Sequence, residues 1–172
     1  MRPVAKAFAI AAIQAGLVAS LGAKFLVDRF VCPHAWVQAA PYDPALPIRG
    51  RYVRLQLIVE PDASLAEREL APQKSVTLRV QDNRVVALPN VGQVSYEPSD
   101  LHLLTIRRGE SRMVVLDHPA VFFIPEHATD PSIRPAGEQL WVDVTIPKKG
   151  PPRPIRLGVK KGDGPIEPLD LD

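Results

Sequence analysis

The readiest chemistry in this chain sits on four histidines: His34, His102, His118 beside Asp117, and His127 beside Glu126. An imidazole beside a carboxylate is the pairing a general base needs, and Ser111 precedes the Asp117–His118 pair as a candidate nucleophile. A triad, however, requires the base within hydrogen-bond reach of the nucleophile together with an oxyanion donor, and adjacent strand residues point to opposite faces. No histidine falls in a metal-ligand spacing such as His-x-x-x-His, and a lone Cys32 excludes both a cysteine zinc site and an internal disulfide framework. The ten glycines are scattered, so no loop is built to cradle phosphate. The histidines therefore read as structural residues at strand ends, with no catalytic residue, metal or cofactor assigned.

A second kind of chemistry is ionic. Arg49, Arg51 and Arg54 place three guanidiniums within six residues around Tyr52, a group able to bind lipid phosphates or an acidic loop of a partner. The plainer reading is a solvated face whose arginines pair locally with Asp43 or Glu60. The element that positions them is legible. From Val53 to Glu60, Val53, Leu55, Leu57 and Val59 alternate with Arg54, Gln56 and Glu60, with Ile58 the exception, and period-two alternation of this length is a half-buried strand. Gly50 precedes it as a turn or a point of close backbone approach.

The segment Gly50-Arg51-Tyr52-Val53-Arg54-Leu55-Gln56-Leu57 resembles the motif that names the GDYXXLXY family of membrane-anchored bacterial proteins. Gly50, Tyr52 and Leu55 match, whereas Arg51 stands in place of the motif's aspartate and Leu57 in place of its second tyrosine. Pro41-Tyr42-Asp43-Pro44 with Arg49 before it, and Phe122-Phe123-Ile124-Pro125-Glu126 after it, lie in the order the resemblance expects. The resemblance implies one N-terminal anchor, an extracytoplasmic domain and no established reaction. The aspartate-to-arginine exchange reverses the charge at position 51.

The N-terminus supplies the anchor. Between Val4 and Val27 only Lys6, Gln14, Ser20 and Lys24 interrupt an apolar run, and a helix of about 24 residues rises roughly 36 Å, against a hydrocarbon core of about 30 Å. Lys24 can snorkel, and Phe25, Phe30 and Trp36 suit the interfacial zone. Ala12, Gly16, Ala19, Ser20 and Ala23 gather on one side of this helix. A small face lets two membrane helices approach closely, so the expected partners are a polytopic membrane protein or a second copy, the alternative being an alanine-rich anchor with no partner. Arg2 and Lys6 precede the span while Lys24 and Arg29 end it. The short basic leader is expected in the cytoplasm and the remainder outside. A cleaved signal peptide is the competing reading, but Leu21-Gly22-Ala23 is a poor small-x-small site, and Arg29-Phe30-Val31 before Cys32 does not suit lipoprotein processing. A type IV pilin is disfavoured because the leader lacks that family's processing site.

The remaining sequence fits one domain. Nineteen prolines favour short strands with stiff connections, and 21 basic against 19 acidic residues exert no overall pull on nucleic acid. Ser75–Val80 and Val85–Leu88 flank Gln81-Asp82-Asn83-Arg84 as a hairpin. His102–Arg107 and Arg112–Leu116 read as a second, and Leu140–Ile146 with Ile155–Val159 as a third, while Ala120–Ile124 adds a strand. The expected fold is mainly β: a transmembrane helix followed by a sandwich or open barrel of about seven or eight short strands. The expected limits are a leader and helix over 1–30, a proline-rich stalk over 31–47, the β domain over 48–160 and a loose acidic tail over 161–172. The expected role is an anchored accessory or interaction subunit in contact with membrane lipid. An envelope hydrolase using an Asp/His site and a released periplasmic ligand-binding domain are the alternatives.

Overall fold

A computed structural model describes residues 3–42, 52–66, 75–90, 101–108, 111–148 and 150–171. The chain forms two compact units, Met1–Cys32 and Pro33–Asp172.

The first unit is one helix, α1 (Pro3–Val31). Proline at its start costs no helical hydrogen bond, and Arg29 in the last turn complements the negative helix end. Its apolar residues do not gather into the single stripe of a surface helix, and Phe8, Leu17, Val18 and Phe30 are all exposed. The segment Val4–Val31 is long and apolar enough to cross a membrane.

The second unit is mainly β, and the described residues of the chain form eleven strands in two sheets. The six-stranded sheet has the order β11-β10-β9-β1-β2-β8, built from β1 (His34–Pro41), β2 (Tyr52–Leu57), β8 (Ala120–Phe123), β9 (Glu138–Thr145), β10 (Arg153–Lys161) and β11 (Ile166–Pro168). The five-stranded sheet has the order β3-β5-β4-β6-β7, built from β3 (Glu60–Pro61), β4 (Ser75–Gln81), β5 (Arg84–Pro89), β6 (Leu101–Arg108) and β7 (Ser111–Leu116). One apolar core lies between the sheets. Val37, Leu55, Leu57, Leu140, Val142, Val144 and Leu157 enter it from one side, and Val76, Leu78, Val85, Leu103 and Leu116 from the other.

The three anticipated hairpins are present. β4 and β5 turn at Asp82 and Asn83, with φ of 48° and 62°, the left-handed pair that a two-residue hairpin loop needs. β6 pairs with β7 from Leu103↔Leu116 to Arg108↔Ser111, and β9 pairs with β10 across a bulge between Pro154 and Arg156. The apolar face expected over Val53–Val59 is present, with Val53, Leu55, Leu57 and Val59 all buried, but Gln56, expected to face out, is buried as well. Beyond Leu57 this segment leaves the first sheet for the second. Ile58 bridges Val115, the Val59 N–H donates to the Val114 carbonyl, and β3 runs parallel to β5. A short helix, α2 (Ala63–Ala66), follows. Asp62 caps it, its carboxylate accepting from the Ser64 N–H at 3.2 Å and the Ser64 hydroxyl at 2.7 Å.

Two expected boundaries are corrected. The stalk expected over 31–47 is, at His34–Pro41, strand β1, placed between β9 and β2 inside the six-stranded sheet. Ala35, Val37 and Ala39 face the core while His34, Trp36 and Gln38 face out. Alanine gives a weak apolar signal, and the prolines at 33 and 41 bracket the strand rather than interrupt it. The β domain thus begins well before residue 48. The loose tail expected over 161–172 contains β11, which pairs with β10 from Lys160↔Ile166 to Gly158↔Pro168, and Leu169 and Leu171 pack against the core. With two-residue β3, these strands raise the count above the expected seven or eight.

Candidate interaction face

The outer surface of the six-stranded sheet gathers aromatic and cationic side chains. Outward positions alternate along each strand, giving His34, Trp36 and Gln38 on β1, Trp141 and Asp143 on β9, Arg156, Gly158 and Lys160 on β10, and Tyr52 and Arg54 on β2. Register brings them together: Trp36 pairs with Asp143 and Asp143 with Arg156, while Gln38 pairs with Trp141 and Trp141 with Gly158.

Three cation–aromatic pairs result. The Arg156 guanidinium lies 5.2 Å from the Trp36 ring centre, the Lys160 ammonium 5.7 Å from Trp141, and the Arg54 guanidinium 5.9 Å from Tyr52. Arg156 is also fixed by its Nε–H, which donates to Asp143 Oδ2 at 2.9 Å, and Asp143 is 6% exposed. His34 Nδ1 lies 3.9 Å from the other carboxylate oxygen. The bond to Asp143 satisfies a buried acceptor and holds the guanidinium against the indole.

Gly158 makes this packing possible. A Cβ built there would lie 2.8 Å from Trp36 Cζ3, 2.8 Å from Ile166 Cγ2 and 3.0 Å from the Glu167 carbonyl oxygen. Trp36 therefore reaches across β9 and rests on the bare backbone of β10. Where β2 departs toward the second sheet, an open cleft of about 200 Å³ forms, lined by Trp36, Gln38, Ile58, Glu60, Arg84 and Trp141 together with Val37 and Val85. Glu60 and Arg84 are joined at 3.1 Å.

Of the motif residues expected to act, Tyr52 and Arg54 lie on this face, and Tyr52 also meets Phe123 edge-on with ring centres 6.1 Å apart. Leu55 is wholly buried and belongs to the core. Asp43, Arg49, Gly50 and Arg51 lie outside the described residues. The anticipated pairing of this arginine group with Glu60 is not seen for Arg54, since Glu60 engages Arg84. Ala12, Gly16, Ala19, Ser20 and Ala23 all lie on α1, exposed, with open space where a Cβ on Gly16 would project. The Ser20 hydroxyl donates back to the Leu17 carbonyl at 2.8 Å.

The Asp117–His118 pair is real, with Oδ1 and Nδ1 2.8 Å apart, but the same Asp117 oxygen accepts the His102 backbone N–H at 3.0 Å. Ser111 begins β7 and Asp117 follows its last residue, so six residues of extended chain, about 20 Å, separate them. They form no triad, and Asp117 acts as a clamp between β6 and the end of β7. The His102 Nδ1 is buried with no hydrogen-bond partner among the described residues. No group of three potential metal ligands occurs among the described residues.

The signal for the Trp36–Asp143–Arg156 cluster was a glycine inside an alternating strand, which marks close approach by another group. Trp36 lies more than a hundred residues before Asp143 and Arg156, and only strand pairing brings it to them. Comparison of the chain with protein-family models, with curated proteins and with solved structures gave no match.

Proposed function

We propose that the chain is a single-pass, membrane-anchored interaction subunit, with α1 in the bilayer, its N-terminus in the cytoplasm and the β unit displayed outside the cell membrane. The observation that carries this reading is the helix segment Val4–Val31, long and apolar enough to cross a membrane, with a charge-free run from Ala7 to Ala23 whose large apolar side chains, such as Phe8, Leu17 and Val18, are exposed. A helix of this kind loses little in hydrocarbon and much in water. The resemblance of Gly50–Leu57 to the GDYXXLXY motif of anchored bacterial proteins supports the same assignment. An accessory rather than enzymatic role is supported by the separation of Ser111 from Asp117–His118 and by an outer sheet face rich in tryptophan, tyrosine and arginine, residue types favoured where proteins meet partners.

The partner within the membrane is a polytopic protein or a second copy, met through Ala12, Gly16, Ala19, Ser20 and Ala23, whose small side chains allow close helix contact. Purification from membranes in gentle detergent should yield the chain in a complex larger than its own mass. Replacing Ala12 and Gly16 together by leucine should dissolve that complex while leaving the chain in the membrane fraction. A complex of unchanged size in the double variant would refute helix-mediated association.

A further inference from the structure

We propose that the outer face of the six-stranded sheet docks on anionic phospholipid headgroups of the membrane that holds α1. This deepens the proposed role and rests on the anchoring of α1. Charge selects an anionic occupant. On the outward positions the described strands of this sheet carry Arg54, Arg153, Arg156 and Lys160 against a single carboxylate, Asp143. Arg153 belongs to the face because it pairs with Thr145, which pairs with outward His34. Asp143 is buried and already bonded to Arg156, and the Glu60–Arg84 pair at the margin of the face cancels itself. The chain as a whole is nearly balanced, with 21 basic against 19 acidic residues, so the excess of cations is local.

Because Arg156 and Lys160 lie over Trp36 and Trp141, the face offers cations rather than bare indoles to a partner, and the Arg156 side chain is 57% exposed. A guanidinium suits phosphate because its planar fork meets two oxygens at once. Two observations favour lipid over an acidic protein. Phe123 faces out beside Tyr52 and is 77% exposed, and an apolar aromatic set among arginine and lysine is the composition of a surface seated in the headgroup layer. Second, only Cys32 and Pro33 lie between α1 and β1. Extended chain covers at most about 3.6 Å per residue, so a helix that ends at the membrane surface delivers outward-facing His34 to within roughly 11 Å of it. That is close to the Debye length of about 8–10 Å, near enough for the headgroups to attract the face.

Both tryptophans of the chain lie on this face, so their emission reports docking. The full-length protein is reconstituted into nanodiscs with a tryptophan-free scaffold, made of phosphatidylcholine alone or with an equal share of phosphatidylglycerol, and quenching by acrylamide is measured at low and high salt. In the anionic discs the tryptophans should be protected from the quencher at low salt and lose that protection at about 0.5 M salt. Each cation beside an anionic surface is worth about fivefold in the docked-to-free ratio. Arg54→Gln with Lys160→Gln should therefore lower that ratio about 25-fold and remove the protection, while the charge-keeping pair Arg54→Lys with Lys160→Arg should retain it. Each variant is compared with itself in neutral discs, which cancels local changes at Trp141, and the comparison of discs with the unaltered chain stands whether or not a variant folds. Retention in the disc fraction reads anchoring separately: loss of the chain from both kinds of disc refutes anchoring and docking together. Equal quenching in the two discs with the chain retained overturns docking alone, as does undiminished protection in the folded glutamine variant. Protection by added polyglutamate in neutral discs, with none from phosphatidylglycerol, would assign the face to an acidic protein segment and overturn the proposal.

Discussion

Substituting alanine for Gly158 isolates the packing that builds the outer sheet face. The added methyl would sit 2.8 Å from carbons of both Trp36 and Ile166 and 3.0 Å from the Glu167 carbonyl oxygen. Carbon–carbon contacts are most favourable at about 3.5–4.0 Å, so each carbon intrudes by roughly 0.7 Å or more. The two side chains can turn aside, but the Glu167 carbonyl belongs to β11, which is paired with β10 at this position. Overpacking of this kind costs about 1–3 kcal/mol. Alanine also restricts the unfolded chain, a gain of about 0.4–1 kcal/mol, and the clash outweighs it. Urea unfolding of the full-length protein in micelles, followed by far-ultraviolet circular dichroism and by tryptophan emission, should show a lower midpoint at an unchanged slope. Emission of the native state should shift because Trp36 is displaced toward water. Coupling provides a sharper check: in a Trp36→Ala background, Gly158→Ala should cost measurably less, because one of its three close neighbours is gone. An unchanged or raised midpoint for Gly158→Ala, or equal costs in the two backgrounds, would refute the packing account.

Leu55→Ala should lower stability by about 2–5 kcal/mol, as for other wholly buried leucines, while Arg54→Ala on the outer face should fall within about 1 kcal/mol; comparable urea midpoints for the two would contradict the division of the motif into core and surface residues. At the β4–β5 turn, where Asn83 has φ of 62°, Asn83→Gly should be neutral or stabilising and Asn83→Val should cost about 1–2 kcal/mol, measured by thermal unfolding. Hydrogen bonds from Ser64 to its side chain hold the Asp62 carboxyl below its ordinary value of 3.8. A depressed carboxyl contributes stability above the unfolded-state value and loses it as pH falls through the folded one. Asp62→Asn should therefore narrow the gap to the parent protein between neutral pH and pH 3, and a constant gap across that range would show that the charge is not involved.

The sequence disclosed elements wherever the pattern was local. Val53–Leu57 alternates over five residues, Asp82-Asn83 carries its own turn chemistry, and α1 is marked by length and apolarity alone. It concealed β1 because alanine at 35 and 39 is too small to announce a buried face, and because Pro33 and Pro41 look like the stiffness of a linker while acting as strand ends. The candidate face was less legible for a different reason. Trp36, Asp143 and Arg156 are neighbours only through antiparallel register among β1, β9 and β10, and a sequence read along its length cannot see across strands. Arg54 was singled out for its charge, whereas its defining contact is the ring of Tyr52, two residues before it on the same side of β2. Glu60, named as a local partner for the arginines, instead meets Arg84, which the hairpin brings back beside β3.

Anchoring through α1 with the β unit outside the cell membrane is the claim on which the proposed role rests. Protease added to intact spheroplasts tests it most directly, with the fate of the β unit followed by an antibody and a cytoplasmic protein as the control for intactness. The account predicts that the β unit is digested while the control survives and the α1 fragment stays with the membrane pellet. A β unit fully protected until the membrane is dissolved would contradict it.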